Sequence, residues 1–365
     1  MRSLLAIGLP ILVAFLAGQA DATTCNATTP CPLSDPCCSE YGFCGKGHFC
    51  LGGCNPFASK ELESCKPNPI CQSGNFTFPD TSRVINSTLY EGDAAKHDWV
   101  IEGGNVEARN GDLILTLTEN DKGTKISSTR YVHYGTISAR LKTGKWAGVI
   151  TAFITMSDIK DEVDWEWPGT AVTEAQSNFF WQGVIPPFEQ SAGDYHRELS
   201  DTSANYHDYT IDWQPETLRW IIDGRVVRTV NKADTLDAAT GVYRYPTTPS
   251  RIQFSIWPAG IPESPPGTVE WAGGMINWND PDYLAAGRFY ALINSVTIQC
   301  ANQRTGANLT SYVYASGNSV TEPVISYTNR STHLKGSAVG LGVVGGMHRA
   351  IAGAVTLLLV IVHAF

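Results

Sequence analysis

The sequence predicts an all-β sandwich preceded by a small, disulfide-rich domain, and two residue distributions support this prediction. Nine of the ten cysteines lie between Cys25 and Cys71, whereas all ten tryptophans lie between Trp99 and Trp278. A body as short as residues 23–55 cannot bury a sufficient core and needs disulfides. Residues 72–312 can bury a large core without them. Residues 56–71 are therefore expected to be a linker.

Short apolar or alternating runs recur between turn residues in the large body, as expected of strands. They occupy residues 113–118, 134–142, 149–156, 209–213, 218–222, 226–230, 252–257 and 295–299. Asp223-Gly224 separates two of these runs and is a strong hairpin signal. Helical periodicity is scarce, and only residues 231–240 are expected to form a short helix. A sandwich therefore fits better than a two-domain α+β fold.

The first 22 residues are typical of a secretory signal peptide. Arg2 precedes a nearly continuous apolar run, and Ala20-Asp21-Ala22 fits a small-x-small cleavage site. The run is short for a bilayer span, which disfavours a membrane anchor at this end. We therefore expect residues 1–22 to be removed and the mature chain to pass through an oxidising compartment.

The other end of the chain indicates attachment to a membrane lipid. Residues 313–337 are rich in Ser, Gly, Thr and Asn and are expected to form a flexible stalk. Small residues and a terminal apolar stretch follow, which predicts a GPI-attachment propeptide over 338–365 with Ser337 as the attachment residue. A tail-anchored helix is the alternative, although the apolar stretch is short for one.

Composition and charge narrow the class of partner. A net charge of −9 and a pI near 5.4 argue against a nucleic-acid partner and are compatible with a neutral polysaccharide. No histidine pattern requires a metal, and no cofactor is expected. Five sequons support the secretory assignment and are expected glycosylation sites: Asn26, Asn75, Asn86, Asn308 and Asn329.

Acidic and apolar residues alternate from Glu162 to Trp167. An extended strand would place Glu162, Asp164 and Glu166 on one face, and valine and tryptophans on the other. Three neighbouring carboxylates repel one another, whereas two carboxyl groups on either side of a sugar bond are what a glycosidase requires. A solvent-facing strand edge or a divalent-cation site is the alternative. Asp161 is expected to be a strand-entry or turn residue.

The N-terminal cysteines follow the spacing C-x5-C-x5-CC-x5-C-x5-C-x3-C around Ser39-Glu40-Tyr41-Gly42-Phe43. This stretch resembles the hevein-type chitin-binding module, family 18 of the carbohydrate-binding modules. The resemblance implies that N-acetylglucosamine units contact Ser39, Tyr41, Phe43 and Phe49. The alternative is that these aromatic residues only cover the small core of the module. A zinc knuckle is disfavoured by the secretory context.

The same resemblance implies three disulfides: Cys25–Cys38, Cys31–Cys44 and Cys37–Cys50. Four cysteines remain. A Cys65–Cys71 bond would close a short loop and is expected, which would leave Cys54 and Cys300 to clamp the two bodies together. The sequence alone leaves the pairing of these last two cysteines open.

Four stretches of the large body carry a second resemblance: residues 148–167, 176–180, 206–213 and 267–274. They resemble glycoside hydrolase family 16, and within it the fungal Crh cell-wall proteins, which join chitin to β-glucan. The resemblance implies a β-jelly roll with a concave cleft. It makes Glu162 the nucleophile, Glu166 the acid/base and Asp164 the assisting carboxyl. It also implies that sugar contacts involve Glu166, Gln253, Trp257 and Thr268.

The resulting hypothesis is a retaining enzyme that cleaves chitin and transfers the fragment to β-glucan, thereby cross-linking a fungal cell wall. Its partners would be these polysaccharides and, through a GPI anchor, the outer face of the plasma membrane. A hydrolase of chitin or β-glucan and a non-catalytic wall lectin are the alternatives. Retaining chemistry requires carboxyl groups about 5–5.5 Å apart. Residues four apart on a straight strand are about 13 Å apart, so the strand must curve.

Overall fold

A computed structural model of the chain describes residues 23–186, 192–301, 308–315 and 321–334. Two short helices, α1 (Pro266–Trp271) and α2 (Pro281–Ala286), accompany the strands of these segments. The strands are β1 (Cys37–Cys38), β2 (Cys44–Gly45), β3 (Asn68–Pro69), β4 (Gly74–Thr77), β5 (Val84–Asn86), β6 (Trp99–Gly103), β7 (Val106–Arg109), β8 (Asp112–Leu117), β9 (Thr124–Val132), β10 (Gly135–Lys142), β11 (Val149–Ser157), β12 (Glu162–Pro168), β13 (Ala175–Phe180), β14 (Asp194–His196), β15 (His207–Trp213), β16 (Thr217–Ile222), β17 (Arg225–Asn231), β18 (Leu236–Asp237), β19 (Val242–Tyr243), β20 (Ser250–Pro258), β21 (Phe289–Cys300), β22 (Ser311–Tyr314) and β23 (Ile325–Thr328).

Two eight-stranded sheets pack face to face. The first has the order β17-β16-β15-β10-β21-β8-β7, with β4 added beside β21. The second has the order β14-β13-β12-β11-β20-β9-β6-β5 and is antiparallel except for the β5–β6 pair. Residues from both sheets share one large hydrophobic core. The all-β sandwich predicted from the sequence is therefore confirmed.

The alternation of residues along β12 fixes which side of the second sheet faces the core. Val163, Trp165 and Trp167 are buried in the core between the sheets. The three acidic residues of β12 consequently lie on the opposite side, which we call the outer face. A register slip of one residue would bring carboxylates into the core, so the pairing of β12 is strongly specified.

All eight predicted strand segments coincide with observed strands, although 113–118 and 134–142 each extend one residue beyond, and the hairpin is confirmed. Asp223 and Gly224 both have positive φ, 49° and 80°, between β16 and β17. The expected helix over 231–240 is wrong. Only Lys232–Thr235 forms a 3-10 turn, and the chain then enters the small hairpin of β18 and β19. Other 3-10 turns lie at Gly47–Cys50, Leu62–Ser64 and Ser87–Leu89.

Five disulfides cross-link the described residues. The bonds Cys25–Cys38, Cys31–Cys44 and Cys37–Cys50 are present, as the hevein resemblance implies. The expected Cys65–Cys71 bond is wrong, and so is the clamp from Cys54 to Cys300. The structure instead contains Cys54–Cys65 and Cys71–Cys300.

Strand pairing explains the corrected disulfides. Strand β4 pairs with β21, and this ladder carries Cys71 to the end of β21, where Cys300 lies. The backbone N–H of Cys300 donates to Ser73 Oγ at 3.0 Å in the same place. Cys65 follows the 3-10 turn at Leu62–Ser64, which returns the chain to the cysteine cluster of the small domain.

The expected linker and the described parts of the expected stalk contain paired strands. Ala58 packs among the cysteines of the small domain, so the fold of that domain continues beyond residue 55. Strand β3, from the expected linker, pairs with β22, and β22 pairs with β23 from the expected stalk. These three strands form a sheet that joins the expected linker to the C-terminal part of the described chain.

Several expectations fall on residues outside the described segments. They are the signal peptide at 1–22 and the GPI propeptide at 338–365 with its attachment residue Ser337. All five sequon asparagines are exposed: Asn26, Asn75, Asn86, Asn308 and Asn329. Neither helix of the described segments is long and apolar enough to span a membrane.

The Cys71–Cys300 bond should contribute strongly to stability, because it spans 229 residues and constrains the unfolded chain. Replacing both cysteines by serine is expected to lower the free energy of unfolding by about 2–5 kcal/mol. Urea unfolding under non-oxidising, non-reducing conditions measures this. Gln299→Ser, an exposed change on the same strand as Cys300, is the control, and an unchanged midpoint in the double serine variant would contradict the expectation.

Candidate active site

Strand β12 is fixed by hydrogen bonds from the opposite sheet. Trp220, on β16, donates its indole N–H to the backbone carbonyl of Asp164 at 2.9 Å. Trp165 donates in the same way to the carbonyl of Thr210 at 3.4 Å. Because these two bonds connect β12 to the opposite sheet across a packed core, the acidic side chains on its outer face are held on a rigid support.

Asp161 fixes the entry to this strand. One of its carboxyl oxygens accepts the backbone N–H of Gln182 at 3.0 Å. The other accepts the N–H groups of Thr247 and Thr248 at 2.9 and 3.0 Å, and the Thr248 hydroxyl at 2.7 Å. Strand β12 starts at the next residue, Glu162, so the expected role of Asp161 at the strand entry is confirmed.

The three carboxyl groups on the outer face are shielded from solvent. Glu162 is 8% exposed, Asp164 is 1% exposed and Glu166 is half-buried. Burial penalises the charged form and raises the pKa of Glu162 to about 7. Burial and then the neighbouring Glu162 charge raise the pKa of Glu166 to about 8. Around neutral pH this face therefore holds protons that exposed carboxyl groups would release.

Asp164 holds its proton most strongly. Burial, followed by the charges of Glu162 and Glu166, raises the pKa of Asp164 well above its usual range. No N–H or O–H group of the described residues donates to either oxygen of Asp164. The neighbouring Asp164 side chain lowers the pKa of Glu162, whereas Glu162 raises the pKa of Asp164. A protonated Asp164 can therefore act as a hydrogen-bond donor toward an ionised Glu162.

Gln253 lies beside the acids on the same face. In the sheet register, Ile154 of β11 is opposite Asp164 on one side and opposite Gln253 on the other. Gln253 is 2% exposed, and its amide oxygen and nitrogen have no hydrogen-bond partner among the described residues. A buried, unpartnered amide is costly unless a ligand satisfies it. This supports its predicted contact with a polar substrate.

Thr268 and Trp257 lie at the same end of the site as Glu166. Thr268, on α1, is 2% exposed, and its buried hydroxyl has no partner among the described residues. Trp257, on β20, is half-buried and lies 6.1 Å from the Trp271 ring. The structure thus retains an unsatisfied hydroxyl and a partly open aromatic ring, which are groups that can contact sugars.

Gln176 and Trp271 were not singled out as site residues from the sequence. Gln176 lies opposite Glu166 in the β12–β13 register. It accepts a hydrogen bond from the indole N–H of Trp271 at 2.8 Å. Gln176 belongs to one of the family-like stretches, but its position beside Glu166 becomes apparent only from strand pairing.

The four residues implied as chitin contacts do not form one free patch. Ser39 Oγ accepts the N–H of Phe43 at 3.2 Å, and Phe49 packs directly over Gly45. Tyr41 turns toward the sandwich, where Lys125 Nζ donates to its hydroxyl at 3.0 Å. Phe43 and Phe49 remain half-buried, whereas the Tyr41 hydroxyl is already engaged.

Metal chemistry finds little support in the described segments. The only close group of possible ligands there is Cys25, Cys31 and Cys38, and all three form disulfides. The acids of β12 do not form such a group. The divalent-cation interpretation of this strand is therefore disfavoured.

Sequence comparison identifies the family. A sequence model of glycosyl hydrolases family 16 matches residues 93–273. Crh-like protein 3 of Botryotinia fuckeliana is 40% identical over 344 residues, which cover 93% of this chain and 76% of that protein. The chain belongs to glycoside hydrolase family 16, among its Crh-like proteins. Congo red hypersensitive protein 2 of Saccharomyces cerevisiae is 41% identical over 87% of this chain and 68% of its own length.

A solved structure agrees with this assignment. The Crh5 transglycosylase in complex with NAG superposes with a TM-score of 0.57 at 30% identity. The match covers 75% of this chain and all of that one. The predicted jelly-roll fold of this Crh-like chain is thereby confirmed, and so is its class as a glycoside hydrolase that acts as a transglycosylase.

Asp164 should act as a hydrogen-bond donor rather than as a charge. Asp164→Asn retains a donor to Glu162, whereas Asp164→Leu removes it. Because a hydrogen bond to a charged group contributes about 1.5–3 kcal/mol, kcat/KM of the leucine variant should be about 10- to 100-fold below that of the asparagine variant. Steady-state kinetics measures this, and equal losses in the two variants would contradict a donor role.

The buried acids should lower stability as the pH rises. The folded-state pKa of Glu162, about 7, exceeds the ordinary value of 4.5 for a glutamate, so the folded state binds more protons and stability falls as pH rises between these values. Glu162→Gln removes this penalty. We therefore compare the Tm of Glu162→Gln with that of wild type at each pH. The Tm difference, variant minus wild type, should be a few degrees more positive at pH 8 than at pH 5. Calorimetry at both pH values tests this, with the exposed Glu263→Gln as control; a pH-independent difference contradicts it.

Proposed function

We propose that this enzyme is a retaining chitin–glucan transglycosylase, with Glu162 as nucleophile and Glu166 as acid/base. The observation that carries the proposal is the buried, electrostatically coupled pair of glutamates on one strand, with protonated Asp164 between them. Two carboxyl groups of unequal proton affinity are what double-displacement glycoside chemistry uses.

In the first step, the carboxylate of Glu162 attacks the anomeric carbon of the donor. The glycosidic C–O bond breaks, and the leaving oxygen takes the proton of Glu166. In the second step, Glu166, now a carboxylate, removes the proton from an acceptor hydroxyl. The acceptor oxygen attacks the anomeric carbon and releases Glu162. The new glycosidic bond has the configuration of the old one.

The charge of the pair stays constant through this cycle. Before reaction Glu162 is charged and Glu166 is neutral. In the glycosyl-enzyme Glu162 is a neutral ester and Glu166 is charged. Because burial makes two simultaneous charges costly, a mechanism that keeps one negative charge on the pair matches this environment. The hydrogen bond from Asp164 stabilises Glu162 as the carboxylate in the starting and final states.

Chitin is the proposed donor and β-glucan the proposed acceptor. The cysteine framework of the N-terminal domain follows the hevein pattern, and the Crh5 transglycosylase structure contains NAG, the repeating sugar of chitin. Gln253 offers a buried amide that an acetamido or hydroxyl group can satisfy. A hydrolase would use the same glycosyl-enzyme with water as acceptor, so product analysis must separate the two.

We further propose that the enzyme acts in the cell wall and at the outer face of the plasma membrane. The expected signal peptide and GPI attachment at Ser337 support this location. The exposure of all five sequon asparagines is compatible with glycosylation in the secretory route.

The decisive experiment incubates the enzyme with chitin oligomers and a fluorescent β-glucan acceptor, followed by sizing of the products. Wild type should yield labelled products larger than the acceptor. Glu162→Gln and Glu166→Gln should each reduce their formation by at least about 10²- to 10⁴-fold, while chitin binding persists.

Glu263→Gln is the matched control, because it removes an exposed carboxylate and should leave transfer unchanged. Turnover retained in both site variants would refute the assigned roles. Shortened oligomers without a labelled product would favour the hydrolase, and binding without any product change would favour the lectin.

A further inference from the structure

The N-terminal domain is packed against the same outer face that carries the acids. Leu51 shares a buried cluster with Tyr90 and with Val100 of β6. The Gly52-Gly53 turn lies against the guanidinium group of Arg251 on β20. A Cβ atom at Gly53 would come within 2.7 Å of that group, and Gly53 has a φ of +80°. Glycine is thus required by both the close approach and the backbone conformation.

Four buried charges hold the two bodies together, and we call Glu40, Glu102, Lys125 and Arg251 the docking cluster. Glu40, from the N-terminal domain, pairs with Lys125 and, at 2.9 Å, with Arg251. Glu102 of β6 also pairs with both cations, at 3.1 Å to Lys125. Their side chains are between 5% and 23% exposed. Removing one partner of such a network leaves a buried charge uncompensated, which is strongly destabilising.

The docking cluster lies in line with the catalytic acids. Arg251 is opposite Met156, which is opposite Glu162 in the next strand. In a parallel row, Lys125 and Glu166 are separated by Ser255 and Ala152. Neighbouring strands are about 4.8 Å apart, so the strand of Arg251 lies only about 10 Å from that of Glu162. A sugar chain that crosses these strands from the acids meets the N-terminal domain.

A second contact connects the N-terminal domain to the chain that leads into β12. The backbone N–H of Gly53 is directed at Asp158 Oδ1, at 3.1 Å, and at the Tyr131 hydroxyl, at 2.9 Å. Asn68 Nδ2 donates to Asp158 Oδ2 at 2.6 Å. Asp158 lies between β11 and β12, four residues before Glu162. The domain therefore restrains the loop that leads into the proposed nucleophile at the start of β12.

We propose that the N-terminal domain is a fixed wall of the active site rather than a tethered chitin anchor, with Glu40 and Asp158 as positioning residues. The chain passing this wall would be the N-acetylglucosamine polymer. Tyr41 lies at the junction, with Lys125 Nζ 5.2 Å from the centre of its ring. This inference rests on the proposed role of Glu162.

Deletion of the domain is not a clean test, because it would expose or unpair Arg251, Lys125 and Asp158 together. Two single substitutions within the docking cluster test the proposal more specifically, because each changes one charge. Glu40→Gln removes a negative charge and Lys125→Met removes a positive one. The charged and titratable groups that face Glu162 are Asp164, Lys125, Lys160 and Glu40, and Glu166 lies on the same strand.

The two substitutions should move the acid limb of the kcat/KM profile in opposite directions. The charge of Glu40 raises the pKa of Glu162, so its loss should shift the limb to lower pH. The charge of Lys125 lowers that pKa, so its loss should shift the limb to higher pH. Loosening of the wall should also reduce the maximal kcat/KM for soluble chitin oligomers by about 10- to 100-fold in both variants.

The matched controls are Glu63→Gln and Lys122→Met, which remove the same charges at exposed positions. Binding to insoluble chitin and Tm are measured for all four variants. We expect the acid limb of the kcat/KM profile to shift in opposite directions in the two docking variants, while binding to insoluble chitin is retained. It is overturned if both limbs coincide with those of the controls and soluble turnover is unchanged, as a tethered domain predicts.

If one docking variant fails to fold, the other still tests the proposal. Each variant has its own expected direction of shift in the acid limb of the kcat/KM profile, and each is compared with its own control. Failure of the proposed function would appear differently. Glu162→Gln would then retain transfer, whatever the docking variants do.

Discussion

The structure depends on keeping three carboxyl groups buried side by side on one strand. Burial and mutual repulsion both disfavour their charged forms, so Glu162, Asp164 and Glu166 have pKa values above the usual range. The opposite face of the strand compensates, because its valine and tryptophans fill the core. A single alternating sequence thus provides both the stabilising contacts and the destabilising site.

Contacts from neighbouring residues hold β12 in place despite the repulsion between its buried carboxyl groups. Trp220 holds the middle of the strand, Asp161 anchors its entry, and the N-terminal domain holds Asp158 just before it. None of these groups performs a bond-making step. Together they prevent the strand from relieving repulsion by moving its carboxyl groups apart, so the proton is retained instead.

The sequence predicted those features that depend on local pattern. Two-residue alternation and turn residues located the strands, and the acidic strand was identified because its period assigns each side chain to a face. Disulfide Cys71–Cys300 was missed because it depends on the β4–β21 ladder, which has no local signal. The docking of the N-terminal domain was missed for the same reason: Glu40 and Arg251 are 211 residues apart, and no spacing rule links them. Asn68–Pro69 lies in the expected linker and Ile325–Thr328 in the expected flexible stalk, yet each pairs with β22, and neither segment has a local signal for this partner.

The path of the chain beyond β23 bears on how the enzyme is oriented. Leu334 packs beside Leu51 and Tyr90, and its N–H donates to the carbonyl of Glu91 at 2.9 Å. The described chain therefore leaves the body next to the N-terminal domain, three residues before Ser337. A GPI lipid at Ser337 would therefore attach the enzyme to the bilayer close to the N-terminal domain. Such an attachment would favour orientations in which this side of the molecule faces the membrane, and it would restrict the enzyme to polymer strands near the membrane surface.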